Sequence, residues 1–106
     1  VKVYSAERKL LERTMSESTA STLTEMMRDD VVSNYGTYHF PEVYVCAKSG
    51  TAEVDDDEPN AMFAGFVQDS QYPLAFIVIV ENAGSGSEVC ASIAGDVLAA
   101  CMESMG

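Results

Sequence analysis

From residue 16 onward the chain carries apolar residues in two distinct periods. Ala20, Leu23, Met27 and Val31 recur at three- and four-residue steps, the spacing of one helix face. Ser16 ahead of them suits an N-cap, Glu17 suits the positive end of a helix dipole, and Met15 can staple against Ala20. The pattern predicts a helix over Glu17 to Asp30. Before it, Val1 to Thr14 mixes charges and leucines without a clean period, so Lys9 to Arg13 reads as a short helical turn or a connector.

The second half changes period. Ser33 to Pro41 gathers Asn34, Gly36 and Pro41, which turn the chain. Val43 to Cys46 is β-rich and runs directly into Ala47-Lys48-Ser49-Gly50-Thr51, which predicts one strand. A polar connection, Asp55 to Asn60, leads to strands over Ala61 to Val67 and Tyr72 to Glu81, joined by a turn at Gln68 to Gln71. Leu74 to Val80 is apolar at all seven positions, so it is expected to be buried on both faces as the central or most covered strand. After the Asn82 to Gly86 loop, Ser85 or Ser87 can cap a final helix reaching about Glu103. Val89, Ile93, Val97 and Cys101 form one of its faces, and Ala91, Ala94, Gly95 and Ala99 keep its backbone close to a supporting sheet. The predicted class is α+β: a three-stranded antiparallel sheet with flanking helices.

Length adds one constraint. At 106 residues the chain is one domain or a piece of one, with no second domain, and a self-contained fold of this mass would expose about 5,800 Å². The start at Val1, without a signal-like segment, reads as cut from something longer. No apolar run approaches the roughly 20 residues of a membrane-spanning helix, so no membrane contact is expected of this segment.

Charge narrows the partners. Seventeen acids against six bases give a net charge of -11, which repels nucleic acid and anionic lipid. Five of the six bases lie in the first 28 residues, leaving Lys48 as the one cation among 13 acids from Asp29 onward. An isolated ammonium on an anionic surface is a candidate anion reader, set against the plainer reading of a surface lysine paired with Glu53 or a nearby aspartate.

Other chemistry-bearing residues read as structural. Cys46, Cys90 and Cys101 have no metal-ligand spacing and are expected to be small buried apolar residues; about 16 Å of helical rise separates the last two, too far for a disulfide. His39, the single histidine, lies in a turn-rich segment between Tyr38 and Phe40 and reads as a loop histidine. The acids of Asp55 to Glu58 are consecutive, unlike the alternating ligands of a calcium loop, and read as a solvated turn. Gly84-Ser85-Gly86 lacks a P-loop lysine and reads as a cap. No cofactor or metal is implied.

Lys48-Ser49-Gly50-Thr51 resembles the K-T-G box of the penicillin-recognising serine acyltransferases. Its context extends the likeness: Ala47 to Glu53, a hydrophilic connection, Asn60 to Val67, Ala75 to Glu81, then a glycine-rich turn and a small-residue helix. Arg13 to Ala20 is similar to the segment that opens the helix before the box. Over residues 13–102 the chain resembles the C-terminal part of a class B penicillin-binding protein transpeptidase domain, and the resemblance implies a fragment of the transpeptidase and serine β-lactamase-like fold. Ala47 stands where a glycine often precedes the box, and Ser49 replaces the commoner threonine.

In an extended strand Ser49 and Thr51 point to one side and can both donate to one carboxylate, while Gly50 leaves the edge unobstructed. The resemblance implies that Lys48 faces the catalytic serine's helix, that the Thr51 amide serves the oxyanion hole, and that a peptidoglycan stem peptide or β-lactam adds to the strand edge. It also implies a membrane-anchored parent with this domain on the extracellular or periplasmic side. Neither S-x-x-K nor S-x-N occurs: at the S-x-x-K offset Ala6 precedes Lys9 and Val45 precedes Lys48, and two places before Asn34, Asn60 and Asn82 stand Val32, Glu58 and Val80. The nucleophile is therefore expected outside this chain, the fragment alone is expected to be inactive, and its uncovered apolar surface predicts self-association. The alternatives are a non-enzymatic interaction module, in which residues 48–51 are an ordinary edge strand, and part of a serine β-lactamase.

Overall fold

The computed structural model describes residues 5–84 and 86–106. Helix α1 covers Glu17–Asp30, and the Ser16 side chain caps it by accepting from the Thr19 amide at 3.1 Å. Only the C-terminal end of its predicted stripe reaches the core: Val31 is fully buried, Ala20 and Met27 are half-buried, and Leu23 is exposed. The helix does not stop at Asp30. It continues as a π-turn over Val31–Tyr35, ends at Gly36 with φ 98°, and passes into a 3-10 turn over Thr37–His39. The positive φ is the conformation that makes a glycine necessary there.

Three strands follow: β1 at Val45–Ala52, β2 at Asn60–Val67 and β3 at Ala75–Val80. They pair antiparallel in the order β1-β2-β3, with Ser49 opposite Phe63 and Phe63 opposite Val78. Asp69 Oδ1 holds the β2–β3 turn by accepting from the amides of Gln71 and Tyr72 at 2.8 and 3.3 Å. The predicted third strand is trimmed at its start, where Pro73 cannot donate to a ladder.

The expected position of that strand is corrected. β3 is an edge and β2 is central, and along β3 Ala75, Ile77 and Ile79 are exposed while Phe76, Val78 and Val80 are half-buried. An unbroken apolar run reports that both faces tolerate burial. It carries no information about which face this part of the chain covers.

Helix α2, Ser87–Met105, packs against β2 and β3. Its small-residue face turns inward as expected: Cys90, Ala91, Ala94, Gly95 and Leu98 face inward and Val89, Ile93, Val97 and Cys101 face out, while Ala99, expected on the supported side, is exposed. The cause is close approach: a Cβ at position 95 would collide with the His39 carbonyl oxygen, so the small-residue face must turn toward the support. Cys46 and Cys90 are buried as expected, but Cys101 rides on the outward stripe and is exposed. Gly86 is the N-cap and has no side chain to offer, so Ser87 is not the cap; Ser85 lies outside the described residues.

The core centres on Phe63, which is fully buried. Tyr35 meets its ring edge-on at 5.1 Å, and Phe40 and Phe76 stack on it at 6.3 and 5.9 Å. Such aromatic contacts each add roughly 0.5–1.5 kcal/mol beyond area burial, so this cluster holds the sheet, the π-turn and the 3-10 turn together. The chain exposes 7791 Å², against about 5,800 Å² for a self-contained fold of its mass. Its exposed large apolar residues include Leu10 and Leu11 before α1, Ile77 and Ile79 on β3, and Val89, Ile93 and Val97 on α2.

Candidate functional site

The candidate site is the outer edge of β1. In an antiparallel pair, main-chain polar groups point alternately toward and away from the partner strand. Two contacts fix which residues of β1 point away from β2. Arg28 Nη1 donates to the Val45 carbonyl at 3.0 Å, and the Ser49 amide donates to Tyr35 Oη at 2.8 Å. Odd-numbered residues therefore present their N–H and C=O at the open edge, and the Thr51 amide lies in that row.

The side chains alternate in the other direction. Ser49 and Thr51 share the α2 side of the sheet with their partners Phe63 and Ala61, and Lys48 and Gly50 share the opposite side with Ala64 and Met62. Thr51, Gly50 and Lys48 are exposed, and Ser49 is half-buried. A Cβ at Gly50 would meet nothing nearer than Met62 Cβ at 4.0 Å, so packing does not require a glycine there. Its absence of a side chain instead keeps the edge open on the Lys48 side. The Lys48 ammonium folds back along its own strand and donates to the Ser49 carbonyl at 2.9 Å.

Two residues that sequence reasoning missed complete this edge. Arg28 reaches it from the last turn of α1, where the negative end of the helix dipole favours a cation, and lies over the Tyr44 ring at 4.4 Å. That last-turn position was the available signal. Tyr35 comes from the π-turn and bonds Ser49 through both its amide and its hydroxyl. No local signal marks Tyr35, because the π-turn shifts its direction and its partner is 14 residues away.

Among the described residues, the remaining candidates make no hydrogen bond to residues 48–51. His39 lies in the 3-10 turn, its ring tilted on Tyr38 at 4.2 Å, with Nε2 buried and without a hydrogen-bond partner. Asp55 to Glu58 form an exposed connection between β1 and β2. Burial pushes the Cys46 thiol up, partly opposed by the nearby Arg28 guanidinium, and burial alone raises Cys90. Neither is a ready nucleophile. Open grooves of about 610 and 620 Å³ lie along α1 beside Tyr44 and Gln68, and around Arg28, Phe40 and Asp69. Neither includes residues 48–51.

With this geometry in hand, the comparisons with known proteins converge. In one solved structure, the D,D-transpeptidase domain of a peptidoglycan glycosyltransferase from Eggerthella lenta, 24% of the chain aligns with 97% of this one at 25% identity and a TM-score of 0.75. Penicillin-binding protein A from M. tuberculosis, solved as an imipenem acyl-enzyme complex, matches 93% of this chain over 22% of its own, at 28% identity and a TM-score of 0.76. The chain thus spans about a quarter of the length of these structures. No curated protein matches it. The family model for the penicillin binding protein transpeptidase domain matches residues 1–99, and the chain belongs to that family.

Proposed function

We propose that the chain is the C-terminal part of a cell-wall D,D-transpeptidase domain and supplies the strand on which the substrate is held. The observation that carries this reading is the open end of the β1 edge: an outward Thr51 amide beside the hydroxyls of Ser49 and Thr51 on one face. In the proposed reaction a serine from the rest of the domain attacks the D-Ala-D-Ala carbonyl of a stem peptide. The peptide bond breaks, the serine proton passes to the departing D-Ala amine, and an acyl-enzyme remains; an amine of a neighbouring strand then attacks the ester, takes the acyl group and returns a proton to the released serine.

In that reaction the Ser49 and Thr51 hydroxyls bind the terminal carboxylate, and the Thr51 N–H stabilises the carbonyl oxygen as it gains charge. Lys48 leaves the Ser49 carbonyl and turns toward the serine's helix, and Gly50 lets the peptide lie flat against the strand. A β-lactam, which carries both an acyl carbonyl and a carboxylate, uses the same groups. Among the described residues no helix is long and apolar enough to cross a membrane. The proposed location is the wall side of the membrane, with any anchor elsewhere in a longer protein. Ile77, Ile79, Val89 and Val97, all exposed here, pack against the remainder of the domain in this reading, and the isolated chain self-associates through them.

A fluorescent penicillin tests the proposal. It is expected to label covalently a longer protein that carries this chain together with an S-x-x-K segment, and to leave the 106-residue chain unlabelled. Covalent labelling of the isolated chain overturns the assignment, because it would require a nucleophile among these residues. Rapid turnover of a chromogenic cephalosporin by the longer protein would instead identify a β-lactamase.

A further inference from the structure

Tyr35 brings a phenol to the strand that needs a fixed proton. The Ser49 amide donates to Tyr35 Oη at 2.8 Å, and Tyr35 Oη donates to Ser49 Oγ at 2.9 Å. This pairing decides which proton remains free. A phenol is more acidic than an alcohol, and its oxygen is already accepting from an amide, so its own proton is the one shared with Ser49. Ser49 Oγ then has an acceptor position filled and keeps its single proton to give. The bonds run in one direction, amide to phenol to serine, and each polarises the next. The phenol is itself held in place, edge-on to the buried Phe63 ring at 83°.

The same contact limits where the edge can take a ligand. Arg28 occupies the Val45 carbonyl and Tyr35 occupies the Ser49 amide, so those two groups are closed to an extended peptide, whereas among the described residues no side chain meets the Thr51 amide. We propose that Tyr35 is a positioning residue: its hydroxyl, bonded to both the amide and the hydroxyl of Ser49, orients the Ser49 proton toward the ligand carboxylate. This deepens, and rests on, the reading of residues 48–51 as the carboxylate-binding strand.

The test uses the longer protein that carries this chain, with Tyr35→Phe, Ser49→Ala and the double variant. Each is reacted with a penicillin and with the methyl ester of the same penicillin. Tyr35→Phe keeps the ring against Phe63 and removes only the hydroxyl. For the free acid, the concentration giving half-maximal acylation is expected to rise about 5- to 10-fold, with the limiting rate changed less than about 2-fold. The ester should react alike with wild type and Tyr35→Phe, and the double variant should be no worse than Ser49→Ala.

If Ser49→Ala weakens acid binding and Tyr35→Phe does not, the positioning role is overturned while the strand reading stands. Equal losses for acid and ester, or additive losses in the double variant, overturn it as well, since they report packing rather than proton orientation. If neither single variant changes the reaction, or wild type itself is not acylated, the strand reading fails, and the role of Tyr35 falls with it.

Discussion

Along β1 the outward main-chain groups are met by side chains, at Val45 by Arg28 and at Ser49 by Tyr35, until the row opens at Thr51. Along β3, at the other side of the same sheet, six apolar residues run from Ala75 to Val80 without a charge, a proline or a bulge, and Ile77 and Ile79 stand in water. Exposed edges in stable proteins are usually blunted by such devices, since a bare apolar edge recruits other strands. β1 has them at Val45 and Ser49, short of the place where a ligand is proposed to pair. β3 has none. One edge is partly blunted by side chains, and the other is bare.

The largest effect comes from closing the open part of β1. Thr51→Pro removes an amide that points away from β2, so no ladder bond is lost, and an edge position tolerates proline. In the longer protein, penicillin acylation is expected to fall 10²- to 10³-fold, about 2.7–4 kcal/mol of transition-state stabilisation, as for loss of one oxyanion donor. Single-turnover kinetics with a fluorescent penicillin measures this, and a melting curve checks the fold. Acylation within about 3-fold of wild type would show that the open end of β1 is not the reactive edge.

The second effect concerns the support shared by both edges. Gly95→Ala sets a methyl group against the His39 carbonyl and forces α2 away from its seat, with an expected loss of about 1–3 kcal/mol in urea unfolding. Val89→Ala, on the outward face of the same helix, should stay within about 0.5 kcal/mol. Equal costs would mean that the outward stripe is buried in solution and that the exposure of α2 is misjudged.

A smaller change separates the two edges directly. Ile77→Lys places a charge on the exposed face of β3 and should alter the folding stability of the 106-residue chain by no more than about 0.5 kcal/mol. By light scattering it should convert a self-associating chain into a monomer, whereas Lys48→Ala on β1 should leave the association unchanged. A wild-type chain that is already monomeric at high concentration would count against β3 as an adhesive edge.

These differences also mark what was legible in the sequence. The α+β class, the bounds of α1, the meander and the placement of residues 48–51 on a strand all follow from local signals: a cap, a period, a turn. The small residues Ala91, Ala94 and Gly95 likewise marked the supported face of α2, although the His39 carbonyl that seats Gly95, 56 positions away, carries no local signal. What failed was the position of β3. Leu74 to Val80 announced burial on both sides, but among the described residues nothing covers Ile77 and Ile79. Likewise Ser49 and Thr51 could be named from their motif, whereas Tyr35 depends on a π-turn that a helical period cannot foresee.

The finest comparison is among the three thiols, one outward and two inside. At neutral pH a thiol reagent should modify Cys101 quickly, and Cys46 and Cys90 only after unfolding, because burial both shields those two and raises them above the ordinary 9.0. The same shift sets a direction in pH. An unfolded chain releases its thiol protons from about pH 9 upward while the folded chain keeps them, so the folded state binds more protons and stability falls as pH rises. The stabilising preference for the neutral thiols is intact below that value and is lost as pH climbs through the folded pKa. Urea midpoints at about pH 7 and pH 10 should therefore diverge, and the divergence should shrink in Cys46→Ala and Cys90→Ala but not in Cys101→Ala. An unchanged divergence in the first two variants would place the alkaline sensitivity in other groups, and fast labelling of Cys46 would mean that the Arg28 clasp on β1 opens readily in solution.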